Sequence, residues 1–103
     1  MAVGVNWSPE ALNDVEFIAA YIARDSVFYA KAVIKKLFSA SNKLSTFPRM
    51  GRIVPEIGND NIRELFVYSY RLIYRIEENQ ILIVAVIHGK RLLKSDADRF
   101  IPD

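Results

Sequence analysis

Residues 81–87 read Ile-Leu-Ile-Val-Ala-Val-Ile, without a polar side chain among them. No other feature limits the possible folds so much. The run is strand-sized, far short of the roughly 18 apolar residues of a membrane span, and rich in β-branched side chains that favour extended backbone. A strand with one wet face alternates apolar and polar residues. This one does not alternate, so it has to be a central strand covered on both sides. The rest of the chain must supply the covers.

Part of one cover is written in the first half of the sequence. Ser8, Pro9 and Glu10 read as an N-cap, a proline at the first helical position and an acid in the positive first turn. From there Ala11, Leu12, Val15, Ile18, Ala19 and Ile22 fall at steps of three and four on one face, while Phe17, Tyr21 and Arg24 fall on the other side. Asp25 and Ser26 interrupt this helix, and Ser26 caps a second one with Ala30, Val33, Ile34, Leu37, Phe38, Ser41 and Leu44 on its inner face, ending before Pro48. Two amphipathic helices joined this tightly should pack as a hairpin over another layer.

That layer is a sheet. Residues 2–7 form a short extended candidate, and 62–67, 70–77 and 80–88 are strand-like, with turns at Tyr68-Ser69 and Glu78-Asn79. Residues 47–61 hold Pro48, Gly51, Pro55 and Gly58, dense punctuation for an ordered loop of a length that is often functional. Ser95 is a cap for a final turn near Phe100. The expected fold class is α+β, with element order β-α-α-β-β-β and a helical hairpin on a mainly antiparallel sheet. A chain of 103 residues, 51% apolar, is expected to form a single domain, residues 1–103.

Charge and composition narrow the function classes. Fourteen Lys and Arg against 12 Asp and Glu leave a formal charge of +2, too small for a chain that coats nucleic acid or an anionic membrane. With no cysteine, there are no disulfides, Cys-zinc sites or thiol nucleophiles. His88 alone is too little for a metal site built on imidazole, so neither metal nor cofactor is expected. The first residues lack the basic start and long apolar run of a signal peptide, and a cytoplasmic protein that does not enter membranes is expected.

The segments Trp7-Ser8-Pro9-Glu10-Ala11, Tyr21-Ile22-Ala23-Arg24-Asp25-Ser26, Phe47-Pro48-Arg49-Met50-Gly51-Arg52-Ile53-Val54-Pro55-Glu56, Ile62-Arg63-Glu64-Leu65, Tyr70-Arg71-Leu72-Ile73-Tyr74-Arg75-Ile76 and Ile87-His88-Gly89-Lys90-Arg91 follow in that order. Together they resemble the RelE/ParE superfamily of small bacterial toxins, in its ParE-like, plasmid-stabilisation branch, over about residues 5–93. The resemblance implies a toxin neutralised in a hetero-oligomer by a cognate ParD-like antitoxin. It also implies one of two mechanisms. ParE-like members inhibit DNA gyrase and block replication by contact. RelE-like members enter the ribosome and cleave mRNA with phosphate-binding lysines and arginines and a C-terminal tyrosine.

On the RelE-like pattern Arg71 and Arg91 match two phosphate-binding arginines, and His88 is the residue able to act as a base near neutral pH. Where that pattern has paired lysines this chain has Ile62, Arg63 and Glu64, and Ala97 stands where its tyrosine would be. Gyrase is therefore the expected target, with the ribosome and mRNA as the alternative. Arg63, Arg71, Arg75, Lys90 and Arg91 are the candidate target contacts, since arginine's planar fork suits phosphate and carboxylate. Local pairing is the competing account for Arg63, with Glu64 or Glu56, and for Arg75, with Glu77. For His88 it is a hydrogen bond to backbone at a strand end. Phe17, Tyr21 and Arg24 are the candidate antitoxin strip, and a wide core face is the competing account for the two aromatics.

Overall fold

A computed structural model describes residues 3–91 and Phe100. The elements run β1 (Gly4–Trp7), α1 (Pro9–Ala23), α2 (Val27–Lys43), β2 (Arg52–Ile53), β3 (Ile62–Val67), β4 (Tyr70–Ile76) and β5 (Gln80–His88). Both helices begin at the expected caps. The Ser8 hydroxyl accepts the Ala11 N–H at 3.1 Å and the Ser26 hydroxyl accepts the Tyr29 N–H at 3.0 Å, each satisfying an amide that the helix itself leaves unpaired. On α1 the buried line is narrower than the sequence pattern: Ala11, Val15 and Ile22 are buried, but Leu12 lies at the flank, 42% exposed.

The five strands form one sheet in the order β1-β5-β4-β3-β2, with β1 parallel to β5 and every other pair antiparallel. β2 is an addition to the expected order. Its two residues pair Arg52 with Glu64 and Ile53 with Arg63, too brief a strand to show alternation. Between β4 and β5 the register shifts, Ile73 opposing Ala85 and Tyr74 opposing Ile83, so Val84 is the extra residue of a bulge.

The apolar run is buried on both sides, as expected. On the helical side Ile81, Ile83 and Val86 pack with Leu72, Tyr74, Val33 and Leu37, and Trp7 meets Phe38 with ring centroids 4.6 Å apart. On the opposite side Ala85 and Ile87 pack with Ile73, Ile62, Val54 and Phe100. Phe100 is wholly buried and helical. The expected Ser95 cap and the position of Ala97 lie outside the described residues. β3 and β4 are joined through Tyr68 and Ser69, and Tyr68 takes φ 53°, where glycine is the usual occupant. Among the described residues no helix is long and apolar enough to cross a membrane.

Candidate functional site

Arg71 leaves β4 on the sheet face away from the helices. Its cross-strand partner is Phe66, so Glu64, two residues along β3 on that same face, is its diagonal neighbour. Arg71 Nε donates to Glu64 Oε1 at 2.6 Å, and its two terminal nitrogens donate to the Glu56 carboxylate at 2.7 and 2.9 Å. Glu64 also accepts from Arg52 Nε at 2.6 Å. Arg71 is 3% exposed and Glu64 1%. The hydrogen bonds from Arg71 hold the Glu56 carboxyl below the usual carboxylate range, against the opposing effect of burial. Reciprocally, Glu56 first and then Glu64 push the Arg71 guanidinium still further up.

Arg71, a candidate target contact, is thus turned inward. Its donors face carboxylates inside the protein. The sequence held the right acids but suggested them for Arg63; the strand register assigns them to Arg71.

Arg63 and Arg75 are also turned inward. Arg63 donates to the Asp60 carbonyl at 2.9 Å and carboxylate at 3.0 Å, and to the carbonyls of Gly51 at 3.0 Å and Arg49 at 3.4 Å. It staples the 47–61 segment, and its acidic partner is Asp60 rather than Glu64 or Glu56. Arg75 follows the local account, donating to Glu77 at 2.7 Å, and it also reaches the Phe100 carbonyl at 3.0 Å. The same contact lowers the Glu77 carboxyl.

His88 ends β5 exposed, its Nδ1 accepting the Lys90 N–H at 3.2 Å, a strand-end bond to backbone. The register sets His88 beside Tyr70 and Arg71 beside Ile87, which sends the His88 and Arg71 side chains to opposite faces of the sheet. The candidate RNase group of Arg71, His88 and Arg91 is therefore not gathered on one face. Lys90 and Arg91 are exposed just beyond the strand.

Phe17 and Tyr21 are surface residues, 77% and 63% exposed, so core burial does not account for them. Together with Tyr70, His88 and Arg91 they line a cleft of about 380 Å³ between α1 and the ends of β4 and β5. Asp14, at its edge, accepts the Val86 N–H at 2.9 Å and ties α1 to β5. Burial, then the nearby Tyr29 and Tyr21 hydroxyls, push the Tyr70 phenol up. Arg24, the α1 C-cap, is exposed past the same end of the helix.

The aromatic surface extends beyond the residues singled out in the sequence. Phe28 is 85% exposed, and Tyr29 meets Tyr68 edge-on at 5.9 Å. A signal was present: Val27, Phe28 and Tyr29 are consecutive, and successive helical residues turned by about 100° cannot all face one core. Among the described residues no three His, Asp or Glu side chains cluster as metal ligands.

Comparison with known proteins agrees with this architecture. The family described as the ParE toxin of the type II toxin-antitoxin system parDE matches residues 5–93. Toxin RelE2 of Caulobacter vibrioides is 30% identical over 89 residues, 85% of this chain and 97% of that protein. Among solved structures, the chromosomal ParDE system of P. aeruginosa superposes with a TM-score of 0.71 at 15% identity, over 86% of this chain and 98% of its own. The RelBE2 toxin-antitoxin complex of Mycobacterium tuberculosis gives 0.57 at 23% identity, over 85% and 99%. A mutant of E. coli toxin RelE in the free state gives 0.63 at 16% identity, over 87% and 86%. At these identities the structures speak for the fold, and the match across 5–93 speaks for the family. The chain belongs to the ParE toxins of type II toxin-antitoxin systems, within the RelE/ParE superfamily.

Proposed function

We propose that this toxin acts by contact, binding DNA gyrase and blocking replication in the cytoplasm, and that a ParD-like antitoxin neutralises it. The observation that carries the reading is the position of Arg71. Cleavage by a substrate 2′-hydroxyl needs a base, cations around the scissile phosphate and an acid for the leaving oxygen, all within reach of one phosphate. Here Arg71, one of the two arginines on the RelE-like pattern, is bonded to Glu56 and Glu64, and His88 leaves the sheet on the other face from it. A contact inhibitor has no such requirement. Lys90 and Arg91, exposed at the end of β5, are the target contacts among the five candidates that best suit an acidic surface.

The antitoxin reading rests on a different surface. Phe17 and Tyr21 border an open cleft on one side of α1, with Arg24 beyond them, a form suited to the apolar face of a segment that folds on binding. That toxin and antitoxin assemble as a hetero-oligomer follows from the same reading.

Supercoiling by purified gyrase, followed with and without the toxin, tests the target. Inhibition or accumulation of cleaved plasmid is expected at micromolar toxin. The alternative, ribosome-dependent mRNA cleavage with Arg71, His88 and Arg91, draws support from the likeness to a toxin named RelE2. Codon-positioned cuts in mRNA from arrested cells, with gyrase unaffected, would establish that alternative and overturn the proposal.

A further inference from the structure

Residues 46–53 lie outside the surfaces described so far. Apart from half-buried Pro48 and buried Gly51 these residues are exposed, and their backbone is fixed. Phe47 is 62% exposed and Met50 49%. Beneath them Tyr74, wholly buried, accepts the Gly51 N–H at 3.0 Å and donates its hydroxyl to the Pro48 carbonyl at 2.8 Å. Arg63 holds the Arg49 and Gly51 carbonyls and joins them to Asp60. A Cβ at Gly51 would stand 2.6 Å from the Glu64 carbonyl and 2.7 Å from the Tyr74 hydroxyl, so only glycine lets the loop lie this close to β3 and β4.

A buried tyrosine and an inward arginine thus hold rigid a loop whose apolar side chains point to solvent. A connection alone needs neither the rigidity nor the outward phenylalanine and methionine. An interface anchor needs both. Rigid loops lose little conformational freedom on binding, and aromatic, Met and Arg side chains are the enriched residues of interface centres.

Charge identifies the partner's chemistry. Residues 46–53 carry Arg49 and Arg52 and no acid. Arg49 pairs with Asp60, but their side chains are 55% and 66% exposed, and such a pair holds weakly enough for the arginine to turn to a partner's carboxylate. Arg52 gives its Nε to Glu64, lies 5.1 Å over the Phe66 ring and keeps its side chain 57% exposed. The complement is an acidic protein surface with an apolar recess. α2, with 17 residues and so about 25 Å long, runs from the aromatic end formed by Phe28 and Tyr29 to the chain that enters this loop.

Resting on the gyrase reading above, we infer that loop 46–53 is a docking element for gyrase, seating Phe47 and Met50 in an apolar recess rimmed by carboxylates. The test is titration of fluorescently labelled toxin with purified gyrase holoenzyme, with thermal unfolding as the control for fold. The double variant Phe47→Ser with Met50→Ser should melt with the wild type and bind gyrase roughly thirtyfold more weakly. Arg49→Glu should weaken binding and remove much of its salt dependence. Tyr74→Phe, which leaves the contact side chains in place and loosens the loop, should weaken binding severalfold. Wild-type toxin that does not bind gyrase overturns the gyrase reading and this inference with it. Wild-type toxin that binds, with the double variant binding equally well, overturns the loop alone. Unchanged gyrase binding with lost antitoxin binding would assign the loop to the antitoxin and refute the inference.

Discussion

Replacing Arg71 with Met separates a structural arginine from a target contact. Wild-type Arg71 is 3% exposed and bonded to Glu64 at 2.6 Å and to Glu56 at 2.7 and 2.9 Å. The variant keeps the aliphatic bulk and removes the charge. Glu56 sits in a loop with its side chain 21% exposed and can turn to water, so its share of the loss is small. Glu64 cannot: its side chain is 0% exposed and would keep only Arg52, whose own side chain is 57% exposed. Removing one member of a buried pair costs about 3–5 kcal/mol, and the remaining Arg52 contact argues for the lower figure, about 3 kcal/mol. For a domain of this size that lowers Tm by about 12–24 °C, a large part of a total stability of roughly 5–15 kcal/mol. Melting followed by circular dichroism measures it. Arg71→Met combined with Glu64→Gln should recover much of the loss, because no buried charge is then left alone. Toxicity should follow stability across the series. An Arg71→Met protein that melts within about 4 °C of wild type yet is no longer toxic would refute the argument and return Arg71 to the target surface.

Three further outcomes follow from the same contacts. Glu56 and Glu77 have lowered carboxyl pKa values, so both stabilise the fold above the unfolded-state value of about 4.3, and that contribution disappears as pH falls through their folded values. Stability should therefore drop below about pH 4.5, and Arg71→Met, which releases Glu56, should show a shallower acid limb in denaturant titrations; an equal or steeper limb contradicts the account. Tyr68→Gly removes a left-handed tyrosine that costs on the order of 1–3 kcal/mol and gives up the 5.9 Å contact with Tyr29, worth about 0.5–1.5 kcal/mol, so stability should hold or rise; a loss above about 1 kcal/mol would mean the turn is not strained. Phe17→Ser with Tyr21→Ser should change folding stability by no more than about 0.5 kcal/mol per site, given 77% and 63% exposure, and should weaken antitoxin binding; unchanged affinity by calorimetry would move the antitoxin elsewhere.

The order of elements could be read from the chain because each has a local cause. Ser8 and Ser26 accept the amides that start the helices, and the 81–87 run has the composition of a strand buried on both faces. The partners of the arginines could not be read so. Arg63 and Asp60 are close in sequence, but which of the acids at 56, 60 and 64 each arginine meets depends on register and on the loop's path, both set by contacts across strands. The same holds for β2, which exists because Tyr74 and Arg63, distant in sequence, shape the backbone before it. Phe17 and Tyr21 stood out because they leave a helical stripe, a local pattern; Phe47 and Met50 sit in a loop, where no period exists to leave.

On the proposed contact reading, the distribution of the arginines decides what this toxin can present to a target. The sheet face away from the helices is filled by Arg52, Glu64, Arg71 and Glu56 toward one side and by Val54, Ile62, Ile73, Ile87 and Phe100 beside them. Opening it would expose apolar surface and leave Glu64 with one partner fewer. Positive charge that needs no such opening lies on the rim: Lys90 past β5, and Arg49 beside the 46–53 loop in a pair that is itself exposed. A large protein surface can meet a rim at several places at once. A single phosphodiester, which needs its cations converging from one face, cannot.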